Sequence, residues 1–164
     1  MTDPYQLILG LRAIRDYEKR PISAEHLDAI VEAARWTGSS KNRQDWSFIV
    51  VDDPDRLLGL AQHGDFTQPI KDSAATIVLV KEPGGNMFDI GRAAQNIMLA
   101  AKSQGVASCP ITLHRSDDAR SYLGLGGDRV AMYAVALGYP TVDAQPRRYG
   151  GRKTASDVVR ADAP

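Results

Sequence analysis

Between the break at Pro83-Gly84-Gly85 and Gly105 the sequence holds one long helical stretch, from about Met87 to Gln104. Its apolar positions, Ile90, Ala93, Ala94, Ile97, Met98, Leu99, Ala100 and Ala101, cover more than one face. A helix that is apolar over so much of its circumference is buried on several sides. In a chain of 164 residues, one ordinary domain by length, a partner subunit is an expected cover. The charge balance agrees. Lys+Arg and Asp+Glu are both 20, so the formal net charge is zero and little repulsion opposes association. The same zero leaves no global basic field to draw in nucleic acid or an acidic membrane surface.

The other elements are shorter. Ser23, after Pro21, caps a helix whose apolar face is Leu27, Ile30, Val31 and Ala34. Thr37 to Arg43 is polar and contains glycine, which predicts a loop, and Ser47 to Asp52 predicts a strand. Asp53-Pro54 opens a short helix through Leu57, Leu58 and Ala61. Thr76 to Lys81 is a strand apolar enough to be central in a sheet. Gly105 is a natural cap for the long helix, a third strand is predicted near Ala107 to Thr112, Ser116 caps a short helix, and Val130 to Leu137 is a fourth strand. Gly124-Leu-Gly126-Gly127 leads towards a strand and reads as a turn. From Thr141 onward the chain is rich in Arg and Gly with little apolar material to pack. With 43% hydrophobic and 24% charged residues, and no repeat or linker, the expectation is a single α+β domain over 1–164 with segregated elements.

Several chemistries are excluded or unsupported. The single cysteine, Cys109, permits neither an internal disulfide framework nor a cysteine-built zinc site. His26, His63 and His114 show no paired ligand spacing, so no metal is expected. No G-x-G-x-x-G follows a strand, and there is no phosphate loop of the G-x-x-x-x-G-K type, no H-E-x-x-H helix and no G-x-S-x-G elbow. The start, Met1-Thr2-Asp3-Pro4-Tyr5, lacks the pattern of a signal peptide, and the longest apolar runs are far below the roughly 20 residues that span a bilayer. A soluble, cytoplasmic setting is the expectation.

What remains is two arginine clusters and one polar loop. The first cluster is Leu11-Arg12-Ala13-Ile14-Arg15-Asp16-Tyr17; the second is Arg147-Arg148-Tyr149-Gly150-Gly151-Arg152-Lys153. A guanidinium fork suits phosphate, and glycines beside it let backbone N–H groups approach. The loop Ser39-Ser40-Lys41-Asn42-Arg43-Gln44-Asp45-Trp46 concentrates uncharged hydrogen-bonding groups directly before a strand. Its Asn and Gln amides donate and accept, as reading the edge of a heteroaromatic ring requires.

Taken in order, these pieces resemble the flavin-dependent nitroreductase family. That family opens with an R-x-S-x-R-x-F-like segment and Pro-x-Ser, followed by A-P-S-x-x-N-x-Q-P-W-x-F before a strand. A long helix with D-x-G-x-A-x-Q-N, then L-G-Y-P and a closing G-R-x-P-L-like segment, complete the pattern. Here they read Arg12-Ala-Ile-Arg15-Asp-Tyr17, Pro21-Ile-Ser23, Thr37-Gly-Ser39-Ser-Lys-Asn42-Arg-Gln44-Asp-Trp46-Ser-Phe48, Asp89-Ile-Gly91-Arg-Ala93-Ala-Gln95-Asn96, Leu137-Gly-Tyr-Pro140 and Gly151-Arg152-Lys-Thr-Ala. Nearly the whole chain is covered.

The resemblance implies an α+β fold with a central, mainly antiparallel sheet flanked by helices, in an intertwined homodimer with FMN at the interface. It implies that Arg12, Ala13, Arg15, Gly151 and Arg152 surround the FMN phosphate. Ser39, Asn42 and Gln44 would reach the flavin from the other subunit, and Cys109, Pro110 and Ile111 would lie along the ring. The departures are Leu11 for the family's leading arginine, Ala13 for its serine, Gly38 and Asp45 for two prolines, and a chain shortened after the long helix. The implied activity is hydride transfer from NADPH or NADH, through FMN, to a small planar acceptor such as a nitroaromatic or a quinone. The alternatives are a flavin-binding or sequestering protein, or a same-fold enzyme with another reductant such as a deazaflavin. The flavin carries the chemistry, so no catalytic side chain is assigned. Cys109 reads as a small residue packing under the ring, Tyr17 and Trp46 as core, and His114 as a non-catalytic residue beyond the third strand.

Overall fold

A computed structural model of the chain describes residues 3–147 and 149–161. Arg148 of the second basic cluster and Met1 and Thr2 of the opening stretch lie outside them. Among the described residues the sheet has four strands: β1 (Trp46–Val51), β2 (Ala75–Lys81), β3 (Ala107–Thr112) and β4 (Val130–Gly138). Their order is β1-β2-β4-β3 and every pairing is antiparallel, as the resemblance implies. The apolar run of β2 is fully explained by this place. It lies between β1 and β4, and Ala75 to Val80 are all buried.

Period-two alternation divides the core into two clusters, one on each face of the sheet. On one face Ile77, Leu79, Val135 and Leu137 pack against helices α2 (Ala24–Arg35) and α5 (Met87–Ser103). On the other Val78, Ala134, Ala136, Cys109 and Ile111 pack with Tyr17 and with α3 (Pro54–Leu60), α4 (Gln68–Asp72) and α6 (Ser116–Tyr122). Burial of that many side chains, each contributing about 1.5–3 kcal/mol, is what holds the layers.

Helix α2 starts where its cap predicts, with the Ser23 side chain accepting from the His26 N–H. Asp53 caps α3 in the same way. At α5 the Asn86 side chain accepts from the Asp89 N–H and donates back to the Asp89 carboxylate. The buried stripe of α5 is Ile90, Ala93, Ile97 and Ala101; Ala94, Met98, Leu99 and Ala100 stay half-buried, and Phe88 is 74% exposed. The second apolar side of the long helix is therefore only partly covered by this chain.

Two sequence expectations shift. Ser116 is the first residue of α6 and not its cap; Arg115 takes the cap position without a side-chain cap bond. Its guanidinium is held by the Gln62 carbonyl and by Asp65, which fixes the backbone one residue earlier. The loop Thr37 to Arg43 contains a 3-10 turn at Ser40–Asn42. Four short pieces went unread: α1 (Pro4–Leu9), α4, a 3-10 turn at Ala61–His63, and α7 (Ala155–Val158). None is long enough for a helical apolar period to register.

Candidate active site

The first basic cluster runs along the free edge of the sheet. The Ile14 N–H donates to the Ser108 carbonyl at 3.0 Å, and Tyr17 bridges to Pro140 beyond the start of β3. Arg12 and Ile14 face one cavity, Ala13 packs against the core, and Arg15 faces a different cleft. The structure thus does not bring Arg12 to Arg15. The Arg12 guanidinium turns back to donate to the carbonyls of Leu9 and Leu11, at 2.8 and 2.7 Å.

The cleft that Arg15 faces has a volume of about 320 Å³. Arg147 enters it from the C-terminal segment, Cys109 to Thr112 form its floor, and Phe66, His114 and Tyr149 stand around it. Two cations therefore converge on one opening. The floor is an edge strand, and the parity of its hydrogen bonds decides what it offers. Leu113 donates to the Met132 carbonyl on β4, whereas the Ser108 carbonyl points outward to Ile14. Odd residues pair with β4 and even residues face the free edge, so Pro110 costs no ladder bond there. Its carbonyl and the Thr112 N–H are left on the open edge. At the far end Gly64 is needed because a Cβ there would lie 2.7 Å from the Thr112 carbonyl.

Cys109 is 1% exposed, and burial pushes its thiol up, against a smaller opposite pull from Arg15 and Arg147. It is a packed thiol beneath the cleft and not an activated one. Beside it Tyr17 donates to the Ile14 and Ala136 carbonyls, at 2.8 and 3.3 Å, and burial drives its hydroxyl far above the ordinary range. Trp46 is buried as well, so both aromatics are core. At the rim, Arg147 donates to the Tyr149 hydroxyl at 3.5 Å, which holds that phenol below its usual value. His114 is tied into the wall by its Nδ1, which accepts from the Asp65 N–H at 3.1 Å.

The polar loop lies elsewhere. Lys41, Asn42 and Gln44 all have left-handed backbone, with φ of 54°, 52° and 56°. Such a cluster of non-glycine residues is strained and persists only where its surroundings over-determine it. Here they do. The Ser39 hydroxyl accepts from the Gln44 N–H at 2.9 Å, and Arg92 donates to the Gly38 carbonyl at 2.7 Å. Asn96 donates to the Thr37 hydroxyl, while Arg43 pairs with Asp45 and donates to the Gly84 carbonyl. Asn42 and Gln44 line a separate cavity of about 310 Å³ with Arg35 and Trp36. The loop leads into β1 at one sheet edge, while Cys109 to Ile111 form the opposite edge. Three strand spacings, about 14 Å, lie between them. Within one chain Ser39, Asn42 and Gln44 do not meet the Arg15 cleft.

Gly151 and Arg152 are exposed and do not line the cleft; Arg147 does. From the sequence Arg147 and Tyr149 stand only as members of a cluster, and Phe66 and Thr112 carry no site signal. No motif marks these, since three separate segments bring them to the floor and rim.

The family model described as Nitroreductase family matches residues 8–76 and 56–139. The chain is 31% identical over 151 residues to an Archaeoglobus fulgidus protein named as an NADH dehydrogenase/NAD(P)H nitroreductase, covering 85% of this chain and 87% of the relative. Among solved structures it is similar to an FMN-dependent nitroreductase from Clostridium difficile, with a TM-score of 0.85 and 25% identity, covering 97% of this chain and 99% of that one. It is similar also to the NADPH:FMN oxidoreductase of Vibrio harveyi, with a TM-score of 0.87 and 25% identity, covering 98% and 77%. The short form of the chain is thus shared with the first of these structures and not with the second.

Proposed function

The chain belongs to the nitroreductase family, and from that premise we propose that it works as a homodimer that uses NAD(P)H and FMN to reduce small planar acceptors, nitroaromatics or quinones. It is an NAD(P)H-dependent oxidoreductase of the FMN-using kind. The observation that carries the reading of the site is the convergence of Arg15 and Arg147 on a cleft floored by an open strand edge. The donor set fits FMN. Two guanidinium groups suit a phosphate, and the Thr112 N–H and Pro110 carbonyl on the open strand edge, the latter taking only a weak bond from the Cys109 thiol, suit the edge of a flat heterocycle.

Bound FMN supplies a ring that takes up a hydride and passes electrons on. Arg15 and Arg147 would hold the phosphate and so fix the position of the ring. The Thr112 N–H and the Pro110 carbonyl, on the open side of β3, would be the backbone groups available to the ring edge. These are backbone dipoles that need no reorganisation when charge develops, which is where fixed donors act best. Phe66 and Tyr149, both exposed at the rim of the cleft, would offer aromatic surface beside a bound ring. Packing Cys109 beneath the floor keeps a reactive thiol out of the redox path.

The homodimer accounts for what one chain leaves unfinished. The half-buried side of α5 needs a cover, and a second copy brings Ser39, Asn42 and Gln44 to the cleft that their own chain cannot reach. Their strained but braced backbone suits a loop that must present amides in a fixed direction. A cytoplasmic setting, where NAD(P)H is plentiful, fits this role, and among the described residues no helix is long and apolar enough to cross a membrane.

The test is a visible absorption spectrum of the purified protein, before and after NADPH is added without oxygen. A flavin spectrum that bleaches and returns with a quinone supports the reading. A flavin spectrum unchanged by NADPH and by NADH overturns it.

A further inference from the structure

On the other side of the segment that carries Arg15 lies a second cavity, of about 340 Å³, which shares no lining residue with the flavin cleft. Leu11, Ile14, Val106, Ala107, Pro140 and Pro146 form its walls, and among the described residues no carboxylate lines it. Two cations do. Lys102, half-buried in the last turn of α5, makes no ion pair or hydrogen bond among the described residues. Gly10 leaves room for it, because a Cβ there would stand 2.7 Å from the Lys102 Nζ. Arg12 stands at the same opening, with one nitrogen committed to the Leu9 and Leu11 carbonyls and the rest of its fork uncommitted among the described residues.

The end of a helix favours a cation, which explains a lysine in this turn. It does not explain an apolar hollow beneath that lysine. Its ammonium stands beside apolar walls, with no carboxylate among the described lining residues to pair with. The walls supply burial for hydrocarbon and the rim supplies charge for one anionic group. The volume is at the small end of ligand pockets.

From this juxtaposition we infer that the cavity is a binding site for a small apolar monocarboxylate, its carboxylate on Lys102 and Arg12 and its hydrocarbon against Ile14, Val106 and the two prolines. A neutral alcohol would leave the ammonium unmatched. Phosphate belongs to the other side of the segment, where Arg15 and Arg147 converge.

The test uses the flavin-loaded protein and octanoate, with 1-octanol as the neutral probe of equal length. Ligand that binds only the folded state raises the unfolding temperature with a saturating dependence on concentration. The expected result is a saturable rise with octanoate and none with octanol. Lys102→Gln should weaken octanoate at least tenfold, and Lys102→Arg should keep it, while both variants retain their flavin spectrum. Equal shifts with octanoate and octanol overturn the site, as does an unchanged octanoate affinity in Lys102→Gln. So does an absence of any shift in the wild-type protein. Should that absence accompany altered sedimentation of Lys102→Glu, the cavity is part of a contact between copies. The flavin spectrum is read separately, so failure here leaves the reductase reading intact.

Discussion

Arg12 and Arg15, three residues apart, face opposite sides of the segment that crosses the free edge of the sheet. The two arginines are therefore separable by mutation. Arg15→Ala should weaken FMN binding by roughly 10- to 100-fold, the range expected when a charge-assisted bond to phosphate is lost. Arg12→Ala should leave it within about twofold. Fluorescence quenching of FMN titrated with apoprotein measures both, and equal losses would place Arg12 on the phosphate after all.

The buried pair Tyr17 and Cys109 makes stability sensitive to alkali. Burial raises both groups in the folded state. In the unfolded chain the thiol ionises near pH 8.5 and the phenol near pH 10. The unfolded state therefore loses protons first as pH rises, and stability present below about pH 8.5 is progressively lost above it. The urea midpoint should fall between pH 8 and pH 10.5, and Tyr17→Phe should flatten the upper part of that fall. In the same protein Ellman's reagent should label Cys109 slowly when folded and stoichiometrically in denaturant.

Gly138 lies against the ring of Tyr17. A Cβ at this position would stand 2.8 Å from both Cβ and Cγ of Tyr17, inside contact distance of a side chain that the core holds fixed. Gly138→Ala should destabilise the protein by about 1–3 kcal/mol, as overpacking does. The expected signature is a lower urea midpoint with an unchanged slope.

Lys41 tests the strain in the polar loop. Its left-handed backbone disfavours side chains branched at Cβ. Lys41→Val should therefore cost about 1–2 kcal/mol, and Lys41→Gly should show no comparable loss. Thermal unfolding of the two variants side by side decides it; equal stability would mean that the loop relaxes when substituted.

Much of the fold is legible along the chain because its signals are local. Ser23, Asp53 and the asparagine-aspartate pair at Asn86 set helix starts through bonds spanning three residues. Ala75 to Val80 announce a strand buried on both faces, and the structure puts them at the centre. Ser116 misled because the force that set its helix comes from Gln62 and Asp65, some fifty positions away. The candidate site was half legible. Arg15, Cys109, Pro110 and Ile111 are together in one cleft, whereas Arg12 and Arg152 are not among its lining residues.

The sequence by itself determined the four strands and the longer helices, the absence of a metal-binding spacing, the packing role of Cys109, and an order of motifs that belongs to one family. Each of these depends on residues close together in the chain or on simple counts. The tertiary structure alone decided which arginines meet. Arg15 and Arg147 are separated by most of the chain, and they converge because the first segment docks on the β3 edge through Ile14 and Ser108 while the last returns past β4. It also decided that the polar loop and the cleft lie on opposite edges of one sheet. Strand order is set by which apolar faces can be buried together, and no run of neighbouring residues encodes it.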